Sequence, residues 1–246
     1  MRKKVIIYFV APLAVSLVLI GMYFSGIESL QRIITPHMPN LHPNSAREFG
    51  LLENLQNILL IAMCAMAFLG IRRQTWRLGK AAMAGLGLFS VFILLEEIDY
   101  GLHFYEWIMN VPPGEHVEER NLHNFGKRTN RIKQLVDICM VLIFVISPFA
   151  LAKTRKPLVR YLTPDRFSAL TIICMLIVRT LAHQLNDRGF GVGGGIVKNI
   201  SEFRELITYY LFTLYVFEIA IRRAPPGSYA EAVSSATTGE NASDEA

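Results

Sequence analysis

Six times along this chain, apolar side chains dominate for about 20 residues, the length a helix needs to cross a hydrocarbon layer about 30 Å thick. The stretches lie at 5–25, 49–71, 81–101, 134–152, 167–187 and 200–221. Inside a bilayer, backbone N–H and C=O groups must pair within their own segment. Each stretch is therefore predicted to be an α-helix, and the chain an all-α, polytopic membrane protein with six transmembrane helices. Composition points the same way: 52% hydrophobic and 18% charged residues, with a mean hydropathy of +0.34, exclude an ordinary soluble domain. The first stretch follows Met1, Arg2, Lys3 and Lys4. It is longer than a signal-peptide core and has no small-x-small cleavage motif, so it reads as an uncleaved anchor.

Basic residues set the orientation, because Lys and Arg near span ends collect on the cytoplasmic side. With the N-terminus inside, that side receives Arg2, Lys3 and Lys4, Arg72, Arg73, Arg77 and Lys80, Lys153, Arg155, Lys156, Arg160 and Arg166, and Arg222 and Arg223. The outer side keeps Arg32, Arg47, Arg120, Lys127, Arg128, Arg131, Lys133, Arg188 and Lys198. The expectation is N-in and C-in, in a bacterial inner membrane. Residues 1–223 form the six-span domain, and 224–246, almost without large apolar side chains, form a disordered cytoplasmic tail. The net charge of +5 does not indicate nucleic acid, since the basic residues come in short clusters between apolar runs and no nucleic-acid motif accompanies them. Cys64, Cys139 and Cys174 sit in apolar runs without metal-type spacing. They are expected as small buried residues, not disulfide partners.

In this orientation all six histidines, His37, His42, His103, His116, His123 and His183, fall on the outer side. Charge in a bilayer costs from about 3 kcal/mol upward, so such residues face a protein interior or a wet cavity and mark function. His37, His42, Glu115, His116 and Glu118 read as solvated loop residues. Four outer helix halves differ, because their polar residues repeat at helical spacing. In "VFILLEEIDYGLHFYEW", residues 91–107, Glu96, Tyr100 and His103 share a face, bordered by Asp99 and with Glu97 beside it. "VRTLAHQLND" places Arg179, His183 and Asp187 at i, i+4 and i+8. "SEFRELITYY" aligns Glu202, Glu205 and Tyr209, with Arg204 on another side. "EFGLLENLQNILL" adds Glu53 and Asn57, with Glu48 just before. Together they predict a polar pocket opening outward. The loop "VPPGEHVEERNLHNFGKRTNRIK" supplies either a lid, with Asn121, His123 and Asn124 folded over the pocket, or an interfacial amphipathic segment. "GFGVGGG", residues 189–195, lacks the Lys and Ser or Thr of a phosphate loop and reads as a flexible linker.

Glutamate and histidine ligate zinc, iron or manganese, and an open coordination position makes bound water a nucleophile near neutral pH. The candidate ligands are His103, His183, Asp187, Glu202 and Glu205. Glu96 or Glu97 activates water, through the metal or alone as a general base. Arg179 balances the carboxylates or stabilises an oxyanion. Glu53, Asn121, His123 and Asn124 belong to the substrate and lid side. The expected function is a membrane-embedded hydrolase or transferase acting on a lipid or membrane peptide at the periplasmic side. A proton-coupled transporter would use Glu96, Glu97, Glu205 and His183 as a relay, but "LIAMCAMAFLG" and "VLIFVISPFALA" give it no polar continuation inward. A non-catalytic assembly subunit would have its acids paired off by Arg179, Arg188 and Arg204.

"LLEEIDYGLHFYEW" followed by "ERNLHN" resembles a bacterial family of uncharacterised integral membrane proteins, in which a Glu-Glu-x-Ser-Trp-Gly-Gln-like helix end precedes an Asn-Leu-His-Asn-like loop. "REFGLLENLQNILL" and "SEFRELITYY" also look like that family's acidic stretches. This chain departs from the pattern at Asp99, Tyr100 and His103. Glu96 and Glu97, with His183 and Asp187, are also similar to two elements of the membrane-embedded glutamate proteases of the CAAX-processing and PrsW type, which implies a hydrolase. The basic residue that follows the glutamate pair in those proteins is absent here.

Overall fold

The computed structural model describes residues 1–115, 129–190, 200–223 and 225. Asn121, His123 and Asn124, most of the glycine-rich linker and the tail from 226 lie outside the described residues. The elements are α1 (Arg2–Tyr23), α2 (Glu28–Ile34), α3 (Pro43–Arg47), α4 (Leu51–Arg73), α5 (Arg77–Glu97), α6 (Leu102–Met109), α7 (Thr129–Val141), α8 (Pro157–Leu162), α9 (Ser168–Asp187) and α10 (Ser201–Phe217). Helix α7 runs on through Leu142–Ile146 to Ser147–Ala150, and α10 through Glu218–Arg222. No strand occurs among the described residues. Four helices, α1, α4, α5 and α9, are long and apolar enough to cross a membrane. The apolar stretch Gln134–Ala150 is shorter, and α10 carries Glu202, Arg204 and Glu205 in its opening turns.

Helix α10 is the centre of the arrangement. One flank supplies Phe203, Ile207 and Leu211 to a core with Leu19, Tyr23, Phe144 and Val178. The other supplies Tyr209 and Val216 to a core with Leu60, Met63, Ala67 and Met83. At the far end, Gly70 of α4 meets Ala220, where an added Cβ would stand 2.8 Å from the Ala220 Cβ. Only a glycine allows that approach. The long helices alternate in direction, so Tyr23, the first turn of α4, the last of α5 and the first of α10 share one end of the molecule, called the acidic end below. Lys4, Arg73, Asp165 and Arg222 share the other.

Two prolines inside apolar helices explain much of the polar packing. Pro12 has no N–H to donate, and the turn before it, Ile6–Val10, opens to π geometry with the Ala11 N–H bonded to the Ile6 carbonyl. The carbonyls of Ile7 and Tyr8 thereby lose their helical donors. The Tyr210 hydroxyl donates to the first at 2.8 Å and the Thr171 hydroxyl to the second at 2.6 Å. Pro148 repeats the device in α7: Leu142–Ile146 is a π turn, the Ser147 hydroxyl donates to the Ile143 carbonyl at 2.7 Å, and the Ser168 hydroxyl to the Phe144 carbonyl at 2.6 Å. Thr171 and Ser168 lie one turn apart on α9, so one face of α9 repairs both proline gaps.

The structure corrects three sequence expectations. Helix α5 begins at Arg77 and ends at Glu97 instead of running from 81 to 101. Asp99, Tyr100 and Gly101 follow with φ of +50°, +53° and +83°, so helical spacing cannot be counted from Glu96 across to His103. Cys174 is buried and Cys64 half-buried, but Cys139 is exposed, because it lies on an outward flank of α7.

Candidate functional site

Three helix ends meet at the acidic end. Glu53 projects from the first turn of α4, Glu97 from the last turn of α5 and Glu202 from the first turn of α10. One oxygen from each lies within 4.8 Å of the others. A carboxylate in the first turn of a helix is favoured by the macrodipole, which suits Glu53 and Glu202. Glu97 sits at the opposite pole of α5, where its charge meets the carbonyl end, so helix stability does not account for it.

Around the three carboxylates the partners are few. Glu97 accepts from the Tyr209 hydroxyl at 2.5 Å. Glu202 accepts from Gln56 Nε2 at 3.1 Å, and the same amide nitrogen reaches the Glu202 carbonyl at 3.0 Å. Arg47 Nε stands 3.4 Å from Glu53, and its Nη2 donates to Glu48 at 2.8 Å. Among the described residues Arg47 is the only cation ion-paired to any of the three. Two ionised carboxylates 4.8 Å apart repel by about 3.5 kcal/mol at an effective dielectric of about 20. Three in one place therefore require a cation or shared protons. Beside them, Gln56 is wholly buried and its Oε1 has no hydrogen-bond partner among the described residues, and Asn57 Oδ1 is in the same condition. A buried acceptor left unmet costs about 1–3 kcal/mol. Just before α4, burial pushes Glu48 up to about 8, with Arg47 opposing and the Asp99 and Glu202 charges reinforcing the rise.

Over the N-terminal end of α4 lies a second polar layer. The three left-handed residues Asp99, Tyr100 and Gly101 redirect the chain from α5 into α6, and two of them are not glycine, a strained geometry. The turn aims His103 and Glu106 inward, 1% and 6% exposed. The His103 ring packs edge-on against Phe49 at 5.2 Å, and Ser45 of α3 donates to Glu106 at 2.5 Å. The Tyr100 hydroxyl donates to Glu96, also buried.

Other sequence candidates lie elsewhere. Arg179, His183 and Asp187 do form a stripe on α9, but all three are exposed. Arg179 is 4.0 Å from Asp137 of α7, to which Arg204 donates at 3.1 Å, and Arg204 also stands 3.9 Å from Glu205. Arg204 and Asp137 lie on the other side of α10 from Glu202, since Arg204 is two residues further along, whereas Glu205, one turn on from Glu202, shares the Glu202 face. Of the expected metal ligands only Glu202 belongs to the three-carboxylate cluster, where Glu53 and Glu97 join it; His103, His183, Asp187 and Glu205 do not. Sequence reasoning passed over Asp137, although a lone acid in "QLVDICMV" was a visible signal. It also passed over Arg47, Gln56 and Glu106, whose roles depend on folding partners distant in sequence.

No family model, curated protein or solved structure matches the chain.

Proposed function

We propose that the three glutamates hold a divalent cation and that the protein is a membrane-embedded hydrolase or transferase working at the outer face of a bacterial inner membrane. The observation that carries this reading is the meeting of Glu53, Glu97 and Glu202 from three helices within 4.8 Å, beside a buried amide oxygen that has no donor among the described residues. An oxygen-only donor set suits a hard cation, and among zinc, iron and manganese it favours manganese. The cation supplies Lewis acidity and a water of lowered pKa. Tyr209 fixes the Glu97 carboxylate by its hydrogen bond, Gln56 fixes Glu202, and Arg47 offsets part of the charge on Glu48 and Glu53. Glu48 shares Arg47 with Glu53, and burial favours its protonated form against the opposing Arg47 charge.

The six-span, N-in arrangement belongs to the same proposal. Its support is the basic clusters at the end opposite the glutamates, Arg72, Arg73 and Arg77, Arg155 and Arg160, Arg222 and Arg223. That orientation sets the acidic end in the periplasm, where lipid or peptide substrates of the outer leaflet reach it. The likeness of Glu96 and Glu97, with His183 and Asp187, to elements of the membrane-embedded glutamate proteases supports the hydrolase class.

The test compares lipid and membrane-peptide extracts from cells making wild type or Glu97→Gln at matched protein levels. The proposal expects a species consumed with wild type that persists with the variant. Indistinguishable extracts would contradict it.

A further inference from the structure

Helix α6 has its polarity reversed. Its eight residues, Leu102–Met109, contain two side chains that are charged or titrate near neutrality, His103 and Glu106, and both are buried. The exposed ones are Phe104 at 44%, Tyr105 at 56%, Trp107 at 55%, Ile108 at 67% and Met109 at 60%. A helix on a water-facing surface shows the opposite order, apolar residues inward and charges outward. Exposed apolar patches of this kind mark a contact with membrane or partner.

The geometry points to phospholipid as the occupant: we propose that α6 lies in the outer leaflet as a monolayer-inserted helix, with its aromatic flank among headgroups and upper acyl chains. Three observations favour lipid over a protein partner. The exposed flank continues a surface that already faces hydrocarbon in a spanning α5, where Leu88, Phe89, Phe92 and Leu95 are exposed, and Tyr100 bridges the two. No charged group on α6 is exposed to give a protein partner its register. Phe104, Tyr105 and Trp107 are the residue types that settle at the headgroup boundary. At 1.5 Å per residue the helix is about 12 Å long, well short of a hydrocarbon crossing, so it lies within one leaflet. Asn110 closes it with φ of +49°, and Pro112 and Pro113 lead the chain away.

Ser45, Phe49 and Glu106 hold α6 over the start of α4, next to Glu48. The lipid-facing helix therefore roofs the acidic end, and an amphiphile moving laterally in the outer leaflet meets this roof before it meets water. This inference rests on the membrane reading of α5 but not on the cation. It fails or stands separately from the hydrolase proposal.

The test uses the full chain reconstituted in phosphatidylcholine vesicles, comparing wild type with Trp107→Phe, so that the difference isolates the Trp107 emission from that of Trp76. Trp107 is more than half exposed, and the phenyl ring of the variant keeps an aromatic face toward Phe49, whose ring lies 5.7 Å from that of Trp107. With bromine at shallow acyl positions, the Trp107-dependent emission is expected to lose most of its intensity, while aqueous iodide leaves most of it. Emission that iodide removes and bromine does not would place this face in water or against a protein and overturn the proposal. If Trp107→Phe lowers the folded yield, an Ile108→Cys spin label in a Cys139→Ala background, where the exposed native thiol is gone, decides the same point by oxygen against aqueous nickel-chelate accessibility: greater access to oxygen supports insertion, and greater access to the chelate overturns it.

Discussion

Single residues carry two kinds of work in this protein: repairing helices and gathering charge. Thr171 is the clearest of the first kind, because its hydroxyl takes the place of the N–H that Pro12 cannot offer to the Tyr8 carbonyl. Thr171→Val keeps the shape and leaves that carbonyl unmet, which is expected to lower stability by about 1–2 kcal/mol in denaturant unfolding of the detergent-solubilised protein. An unchanged midpoint would show that the carbonyl has another donor. The glutamates are the second kind. Glu53, Glu97 and Glu202 were each visible as polar residues in apolar helices and were expected in one pocket, yet that these three carboxylates stand nearest one another was not legible. Spacing along one helix shows which residues share a face, whereas these three come from three helices and meet only at their ends. Arg179, His183 and Asp187 made the opposite error possible, since a regular stripe at i, i+4 and i+8 says nothing about which way it faces.

At the scale of elements, the six apolar stretches were legible because length and hydropathy alone define them, and helices occupy all six. The break after Glu97 was not legible. Asp99 and Tyr100 adopt positive φ without being glycine, a choice that tertiary contacts impose and local sequence does not announce. Helix crossing is also hidden from the sequence, and Gly70 is the place to test it. Its Cβ position lies 2.8 Å from the Ala220 Cβ and 3.3 Å from the Ala220 Cα, so Gly70→Val forces α4 away from the end of α10. The expected loss is about 1–3 kcal/mol. Gly85, with nothing within 4 Å of its Cβ position, is the matched control: Gly85→Ala is expected to unfold at the wild-type midpoint.

For the whole molecule, the two ends use charge differently. At the basic end charges are paired: Lys4 bonds Asp165, Arg222 donates to Glu218 at 2.6 Å, and Arg223 and Arg73 bind carbonyls of neighbouring segments. Burial pulls Asp165 up, but the Lys4 hydrogen bond, the Phe167 N–H and the Lys4 and Arg223 charges win and hold it below the usual carboxylate range. A lowered folded value means the stabilisation is present above the unfolded carboxylate value, about pH 4, and is lost as the pH falls through the lower folded value. Asp165→Asn is expected to flatten that acid limb of the stability profile, and a limb identical to wild type would show that another carboxylate sets it. At the acidic end Glu53, Glu97 and Glu202 stand together, with Arg47 the one cation paired to them among the described residues.

A cation held by these three glutamates is the central claim, and elemental analysis tests it most directly. Detergent-purified wild type is measured beside a Glu97→Gln, Glu202→Gln double variant and beside Glu28→Gln, whose exposed carboxylate pairs with Arg32 on α2. The account predicts about one divalent cation per chain in wild type and in Glu28→Gln, and loss of it in the double variant. Wild-type protein that neither carries a divalent cation nor takes up manganese would contradict the account and leave three glutamates that share protons.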